Sequence, residues 1–460
     1  MIFESVDTVY GKLPISLKVE SLAALCVDGG VQTGPFGSQL HQEDYVVNGT
    51  PIITVEHLGE NTIIHQNLPR VKDEDKKRLS RYVLKTGDIV FSRVGSVDRR
   101  ALVKANEDGW LFSGRCLRVR PKSELIDSRW LSYFFGLPAF KNYIRGIAVG
   151  ATMPSINTKI LSDLPIYYPS LDIQHESANF LIFLDNRISL LRETNTTLEA
   201  IAQTLFKSWF VDFDPVKAKA EGRLPEGMSD ATAALFPSEF EESALGLIPK
   251  GWRVESVGDV MDYKEGPGIR NWQYTNSDEG TKFINIRCIQ DGDLSLNSAN
   301  RIKNEEANGK YIHFHLKAWD VVVSTSGTLG RSAIVRKEHL PLMLNTSVIR
   351  FRPIPERMEF CFLYQHLNSS YFLSELDAMA SGSVQKNFGP MHLRRMSLVC
   401  PSFDLICRYE SICKPLLQKV VDNREQIQTL TTLRDTLLPR LISGQLRLNQ
   451  AQEIMDEVGA

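Results

Sequence analysis

Residues 88–103 read DIVFSRVGSVDRRALV, and residues 320–335 read DVVVSTSGTLGRSAIV. The second stretch repeats the first at an offset of 232 residues, with Asp, Ser and Gly at matching positions. Long-period similarity within one chain is typical of proteins built from repeated structural units. The two stretches therefore predict two copies of one fold within these 460 residues.

The same offset extends over residues 34–171 and 266–403. Further matches are Gly34-Pro35 with Gly266-Pro267, Arg118-x-Arg120-Pro121 with Arg350-x-Arg352-Pro353, Gly150 with Gly382, Leu161 with Leu393, and Pro169 with Pro401. Each copy has strand-like runs, such as 88–93 and 116–120, and helical spacing of apolar residues over 130–143 and 362–373. We expect two homologous α+β globular domains, without a prediction of strand order.

A long helix with a heptad pattern follows each copy. Its seam positions in the first copy are Leu184, Ile188, Leu191, Asn195, Leu198, Ala202, Leu205 and Trp209, and in the second Leu416, Val420, Asn423, Ile427, Leu430, Arg434, Leu437 and Leu441. Spacings that alternate between 4 and 3 predict a coiled coil. Each helix could instead pack on its own domain, but two equivalent seams favour pairing with each other. The polar seam residues Asn195 and Asn423 would then fix the register.

These patterns divide the chain into segments. We expect a domain over 1–171, a helix over 172–210, an extended acidic connector over 211–250, a second domain over 251–403, a helix over 404–445 and a tail over 446–460. Residues 34–171 hold 19 Lys and Arg against 14 Asp and Glu, and residues 266–403 hold 16 against 12. The connector 211–249 holds 3 against 8. Two mildly basic blocks fit either nucleic-acid binding or an ordinary solvated surface.

Motifs for several kinds of chemistry are missing from the sequence. There is no G-x-x-x-x-G-K-[ST] phosphate loop, no Pro-Pro or Pro-Asp dipeptide and no H-E-x-x-H. The seven cysteines include no C-x-x-C pair, so neither a disulfide framework nor a structural zinc site is expected. No secretion signal or membrane-length apolar run is visible, which predicts a cytoplasmic protein. The repeated Ser92 and Ser324 have no repeated His or carboxylate nearby and are interpreted as strand or turn residues.

Three further phrases carry a resemblance to a known family. They are LFKSWFVDFDP at 205–215, LIPKGW at 247–252 and LLPRLISG at 437–444. With the two-copy architecture, they make the chain similar to the specificity (S, or HsdS) subunits of type I restriction–modification enzymes. One departure is Leu17, which stands where the second copy has Trp252.

The resemblance implies a bipartite DNA reader without a catalytic site or cofactor of its own. Each copy would be a target recognition domain for one half of a split, asymmetric target. The helices would pair antiparallel as a spacer and dock two methyltransferase subunits that use S-adenosylmethionine, and motor–nuclease subunits using ATP and Mg²⁺ would join for cleavage. Two alternatives stay open from the residues: an autonomous DNA methyltransferase or nuclease with an unrecognised site, and a DNA-independent scaffold.

Candidate DNA-binding residues come from the arginines and loops of both copies. They are Arg93, Arg100, Arg118, Arg120, Thr152 and Ser155 in the first copy, and Thr325, Arg331, Arg350, Arg352, Gln385, Lys386 and Asn387 in the second. We expect the repeated arginines to hold phosphates, because phosphate contacts carry no sequence information and can be the same in both copies. The diverged loop residues would read base edges. No metal site is expected.

Overall fold

The computed structural model describes residues 4–35, 39–380 and 387–458. The chain divides into two compact units, Met1–Leu190 with Gln426–Ala460 and Leu191–Glu425. Each unit contains one copy of the repeat together with half of each long helix. The unit boundaries therefore lie within the long helices, whereas the sequence predicted boundaries at the helix ends.

The first unit combines short strands and short helices with the halves of the long ones. Its strands are Ser5–Thr8, Gly11–Pro14, Lys18–Ser21, Gln32–Thr33, Tyr45–Val46, Thr50–Ile53, Glu60–Asn61, Arg70–Val71, Ile89–Ser92, Arg100–Leu102, Leu111–Phe112, Cys116–Val119 and Pro165–Tyr168. Its α-helices are Asp73–Arg78, Ser128–Phe134, Pro138–Ile147 and Thr158–Ser162, followed by the first long helix, Leu171–Phe210. The tail forms a further helix, Leu448–Val458.

The second unit repeats this order of elements. Its strands are Phe240–Ser243, Gly246–Pro249, Arg253–Ser256, Met261–Glu265, Tyr274–Thr275, Thr281–Phe283, Ile289–Gln290, Asp293–Leu294, Asn300–Ile302, Val321–Ser324, Ser332–Ile334, Leu342–Met343, Val348–Pro353 and Ser397–Cys400. Its α-helices are Asp214–Ala220, Asp230–Ala233, Val257–Val260, Asn304–Asn308, Phe360–Leu367, Ser370–Met379 and Pro390–Leu393, followed by the second long helix, Phe403–Ile442.

The duplication is confirmed element by element. Strand Ile89–Ser92 lies between antiparallel neighbours Arg100–Leu102 and Cys116–Val119, and Val321–Ser324 lies in the same way between Ser332–Ile334 and Val348–Pro353. Both central strands are fully buried because they are continuous apolar runs with helices packed beside them. The two long helices also begin and end 232 residues apart.

The helical run predicted over 130–143 is two helices, because the chain turns at Gly136 and restarts at Pro138. Proline is well placed in the first turn of a helix, where its missing N–H costs nothing. The second copy breaks at the same point without proline. There Ser369 caps the helix Ser370–Met379, and its Oγ accepts a hydrogen bond from the Phe372 amide at 3.2 Å.

The two long helices pair antiparallel in each unit. In the first unit Ser177 contacts Leu441 at 3.1 Å and Asp185 contacts Arg434 at 2.8 Å. Residue numbers therefore decrease along one helix as they increase along the other. In the second unit the Tyr409 hydroxyl donates to the Ala202 carbonyl at 2.8 Å. Buried seam residues are Leu184, Ile188, Leu191, Val420, Leu430, Leu437 and Leu441. Leu198, Leu205 and Ile427 are partly buried. The predicted coiled coil is confirmed.

The acidic connector is not extended, which corrects the sequence-based expectation. It forms the helices Asp214–Ala220 and Asp230–Ala233 and the hairpin of Phe240–Ser243 with Gly246–Pro249. Its apolar residues Val216, Phe236 and Ile248 are buried, with the Phe236 ring 5.1 Å from that of Trp209. The buried and half-buried apolar residues of this segment are scattered among acidic ones without periodicity, so the sequence pattern did not indicate a folded segment.

All seven cysteines are free thiols. Six of them are buried, and Cys407 is partly exposed. Among the described helices, none is both long enough and apolar enough to cross a membrane.

Candidate nucleic-acid interface

In the first unit, three loops meet at one end of the central strand Ile89–Ser92. We call residues 93–99, 113–115 and 149–156 the first loop cluster. The Gly95 amide donates to the Pro154 carbonyl at 2.8 Å, the Ile156 amide to the Arg93 carbonyl at 2.9 Å, and the Arg93 amide to the Arg115 carbonyl at 2.9 Å. Backbone bonds therefore hold the loops together, which leaves their side chains free to differ.

The second unit builds the same cluster from residues 325–331, 345–347 and 387–388, the second loop cluster. The Thr325 amide donates to the Ser347 carbonyl at 2.9 Å, and the Phe388 amide to the Thr325 carbonyl at 3.1 Å. Ser326 also forms an isolated bridge with Asn387. Thr325 and Ser347 are the counterparts of Arg93 and Arg115. The frame is shared, and the side chains it carries have diverged.

The repeated glycines mark where a neighbouring strand passes each cluster. A Cβ atom on Gly34 would lie 2.2 Å from the Ser113 carbonyl oxygen, and one on Gly266 would lie 2.2 Å from that of Asn345. Only glycine allows the backbone to approach so closely. The repeated serines close the turns: the Ser92 hydroxyl donates to the Val94 carbonyl at 2.8 Å, and that of Ser324 to the Thr328 carbonyl at 2.7 Å. This confirms their interpretation as strand or turn residues.

The repeated arginines Arg118 and Arg350 are buried, with only 4% of each residue exposed. Arg118 donates to the carbonyls of Arg81 at 3.2 Å and Gly29 at 3.0 Å, and burial lowers the pKa of its guanidinium. Arg350 pairs with Asp262 at 2.9 Å. A phosphate cannot reach side chains enclosed in this way, so the structure corrects the expectation of phosphate contacts.

Arg120 and Arg352 form matching two-point ion pairs with buried carboxylates. Arg120 contacts both oxygens of Asp88 at 2.7 Å, and Arg352 contacts both oxygens of Asp320. The hydrogen bonds with Asp320 raise the pKa of Arg352 and outweigh desolvation, which lowers it. Asp88 and Asp320 are 1% exposed and also accept from the amides of Lys85 and Lys317. Both copies have these arginines because the fold needs the ion pair. The structure therefore also corrects the expectation that Arg120 and Arg352 hold phosphates.

Arg100 has Ser332 as its counterpart in the second copy, and both residues are buried inside their units. Arg100 is 2% exposed, donates to the Ser132 carbonyl at 2.9 Å and pairs with Glu60 at 2.5 Å. Ser332 donates to the Asn368 side chain at 2.6 Å. Both therefore join the sheet to the helix behind it. Arg100 and the buried Thr325 side chain are thus removed from the surface on which DNA-binding candidates were expected.

The remaining candidates lie in the loop clusters. Thr152, Arg331 and Asn387 are exposed, and Arg93 and Ser155 are half-buried. Arg93 lies near Thr33, with Nη1 3.4 Å from Oγ1, and the Ser155 hydroxyl donates to the Val149 carbonyl at 3.1 Å. Gln385 and Lys386 lie outside the described residues. The sequence-based candidates from separate stretches of each copy are thus brought together.

The structure adds two features that the sequence pattern did not single out, the exposed Arg115 and the segment 267–273. That segment joins the second loop cluster, because the Thr346 amide donates to the Pro267 carbonyl at 3.0 Å and the Ile269 amide to Asn345 Oδ1 at 3.2 Å. The Gly-Pro pair at its start was recognised only as a repeat marker. Within the described residues, no group of three or more His, Cys, Asp or Glu side chains could hold a metal ion.

Comparisons with known proteins agree with this architecture. The family model for the type I restriction modification DNA specificity domain matches residues 35–200 and 249–401. The type I restriction enzyme HindI specificity subunit of Haemophilus influenzae is 26% identical over 451 residues, covering 87% of this chain and 95% of that protein. The MjaIX specificity subunit of Methanocaldococcus jannaschii is 24% identical, covering 96% of each.

A solved structure shows the same fold. The crystal structure of the type I restriction–modification S subunit from M. genitalium superposes with a TM-score of 0.57 at 14% identity, covering 92% of this chain and 96% of that one. The two segments matched by the family model span both copies of the repeat and most of the chain. The chain therefore belongs to the family of type I restriction–modification DNA specificity domains.

Proposed function

We propose that this chain is the DNA-specificity subunit of a type I restriction–modification complex and that each loop cluster reads one half of a bipartite, asymmetric target. One observation carries the proposal: the two clusters have the same backbone frame and different side chains. The exposed Arg115 in the first cluster corresponds to the half-buried Ser347 in the second. Equal frames present two surfaces to DNA in the same way, and unequal side chains select different bases.

The side chains with access to a duplex supply suitable chemistry. Arginine can donate two hydrogen bonds to guanine, and asparagine can pair with adenine. Arg331 and Asn387 are exposed in the second cluster, while Thr152 and Arg115 are exposed in the first. We include Gln385 and Lys386 in the second reading surface by their place in the sequence beside Asn387.

The long helices would set the spacer between half-sites and dock the partners. Antiparallel pairing of the helices in both units supports this role, because each helix of 40 residues is about 60 Å long. The partners would be two adenine-N6 methyltransferase subunits with S-adenosylmethionine and motor–nuclease subunits with ATP and Mg²⁺. The chain itself would bind none of these cofactors and catalyse no reaction, which agrees with the missing phosphate-loop and Pro-Pro motifs.

The proposal is tested by mapping methylated adenines in the DNA of cells that carry this chain with its partner methyltransferase. A two-part motif with a fixed gap is expected, and it should be absent when the methyltransferase is present alone. Changing Arg331 to Ala should alter the preference at one half-site only. The absence of any chain-dependent motif would contradict the proposal. Incubation of the pure chain with DNA and labelled S-adenosylmethionine should transfer no methyl groups.

A further inference from the structure

The most exposed tryptophan of the protein lies on a turn beside the second loop cluster. Trp272 is 80% exposed, whereas Trp130, Trp209 and Trp252 are buried and Trp110 and Trp319 are partly buried. Tryptophan is among the side chains most enriched at the energetic centres of binding surfaces. A single exposed apolar side chain is common in proteins, so exposure alone does not mark Trp272 as a binding residue. The anchoring of its turn and the residues around it do.

The turn that carries Trp272 is fixed from beneath. The Gln273 amide donates to the Arg270 carbonyl at 2.9 Å, and the Arg270 amide donates to Gln273 Oε1 at 3.1 Å. The buried Gln273 side chain also donates to Glu306 at 2.8 Å and contacts the Tyr311 hydroxyl at 3.1 Å. The indole is therefore presented to solvent by an anchored turn, which lowers the entropy lost when it binds a ligand.

The chain around Trp272 connects directly to the proposed reading surface. Pro267 and Ile269, five and three residues before it, are bonded to residues 345 and 346 of the second loop cluster. Arg270 and Asn271, which precede it immediately, are both exposed. A cationic side chain and an amide beside an aromatic ring form a set that suits nucleic acid: a phosphate contact, a base-edge contact and an apolar contact.

The first copy builds the same turn with different chemistry. There the turn Gln42–Asp44 precedes the strand Tyr45–Val46, as Asn271–Gln273 precedes Tyr274–Thr275. The His41 amide donates to Asp44 Oδ2 at 2.7 Å, the counterpart of the bond from Arg270 to Gln273. The two turns correspond at a local offset of 229 residues, three fewer than the general offset, so Glu43, which is exposed, stands where the second copy has Trp272. A repeated frame with a carboxylate in one copy and an indole in the other is the pattern of a specificity-determining position.

We propose that Trp272 contacts duplex DNA in the second half-site, with its indole against an apolar base edge such as a thymine methyl group and Arg270 against a phosphate. This inference rests on the proposed function and adds a contact to it. The Glu43 carboxylate could accept a hydrogen bond from a cytosine amino group at the equivalent place in the first half-site. The two turns would then contribute to reading different bases.

The test uses the full chain assembled with its methyltransferase subunits. The probes are a duplex carrying the target found by methylated-adenine mapping and the same duplex with the second half-site scrambled. The W272A variant should bind the target roughly ten- to hundredfold more weakly, the loss typical of one aromatic contact to a base. W272F should retain most of the affinity. L224A is the matched control, because Leu224 is 79% exposed in the same unit but lies in the connector.

A fluorescence measurement checks the contact independently. Acrylamide quenching of the wild-type complex should fall when the target duplex is added, and this protection should be absent in W272F. Equal binding by W272A and L224A would overturn the inference, as would unchanged quenching. Loss of methyltransferase subunits from W272A in gel filtration would assign the indole to a protein partner and also overturn it. A wild-type complex without a sequence-specific target would instead overturn the proposed function itself.

Discussion

Asn423 donates a hydrogen bond from Nδ2 to Asn195 Oδ1 at 2.8 Å, across the paired long helices of the second unit. Both residues are buried, and Asn195 also donates to the Val420 carbonyl at 3.3 Å. The pair is not repeated, because 232 residues after Asn195 stands Ile427 and 232 before Asn423 stands Leu191. A buried pair of amides in an apolar seam favours one register, since a slipped pairing leaves a buried amide opposite a hydrocarbon.

Breaking this pair should cost more stability than removing it. Asn195→Ile or Asn423→Leu alone, each taken from the equivalent position of the other helix, leaves one buried amide without its partner and should lower the free energy of unfolding by about 1–3 kcal/mol. The double variant should lose less than the sum of the two singles. Urea denaturation of all four proteins measures the coupling, and strictly additive losses would show that the bond does not contribute.

The buried His366 should make the second unit sensitive to acid. Burial lowers the pKa of His366 to about 4, so the folded chain keeps it neutral while the unfolded chain binds a proton below about pH 6.5. The free energy of unfolding should therefore fall as the pH drops from about 6.5 towards 4, by up to about 1.4 kcal/mol per pH unit. His366→Phe adopts the residue of the first copy, Phe134, and should reduce that slope in urea titrations at several pH values.

A residual slope is expected in that variant. Burial, and then the neighbouring Arg336, lower the pKa of His339 to about 4 as well. Adding His339→Gln should flatten the dependence further. An identical pH slope in the wild-type protein and the His366→Phe variant would rule out His366 as the source.

The buried arginines should affect folding rather than DNA contacts. Arg118→Ala leaves the carbonyls of Arg81 and Gly29 without their donor, and we expect a loss of about 1.5–3 kcal/mol in the free energy of unfolding. The salt dependence of DNA binding should stay the same for the folded fraction. Arg331→Ala, at an exposed position, should instead weaken DNA binding without loss of stability. A salt slope reduced by about one unit in Arg118→Ala would restore the phosphate role.

These arginines show where sequence reasoning succeeded and where it could not. The repeat and the heptads are visible in the order of residues along the chain, so the two copies and both long helices were predictable. Whether a repeated arginine faces DNA or a buried aspartate depends on strands distant in sequence, as with Arg120 and Asp88. Repetition showed that both copies need the arginine. It did not show why, because an arginine that pairs with a buried aspartate and one that binds phosphate are both expected to be repeated. The turn at Trp272 carried no periodic signal at all.

Exchange of one copy should change one half of the DNA target. Replacing residues 34–171 by the equivalent block of a relative transfers the first loop cluster, while the second keeps its frame within its own unit. Methylated-adenine mapping should then show a new first half-site, the original second half-site and the same gap. A change in both half-sites would mean that the two clusters do not read DNA independently.

The spacer role of the helices predicts the effect of lengthening them. Seven residues add about 10.5 Å of helix, which corresponds to roughly three base pairs at about 3.4 Å each. A heptad keeps the seam facing its partner. The pairing of Asn195 with Asn423 places the segment between Leu191 and Leu198 opposite that between Val420 and Ile427, so the two insertions belong there. The segment between Leu430 and Leu437 lies opposite Asp185, because Asp185 pairs with Arg434. An insertion there, combined with one between Leu191 and Leu198, would shift the register of the helices between the two insertion points.

The double insertion should abolish binding at the original spacing. Three base pairs turn DNA by roughly 100° at about 10.5 pairs per turn, while a straight helix drifts by only about 20° per heptad. The two loop clusters would then meet the lengthened spacer out of phase, and any recovered target should have a longer gap between unchanged half-sites. Selection of bound DNA from a library that varies only in spacer length measures this. An insertion in one helix alone should disrupt pairing and serves as the control, and an unchanged preference in the double variant would show that the helices do not set the spacing.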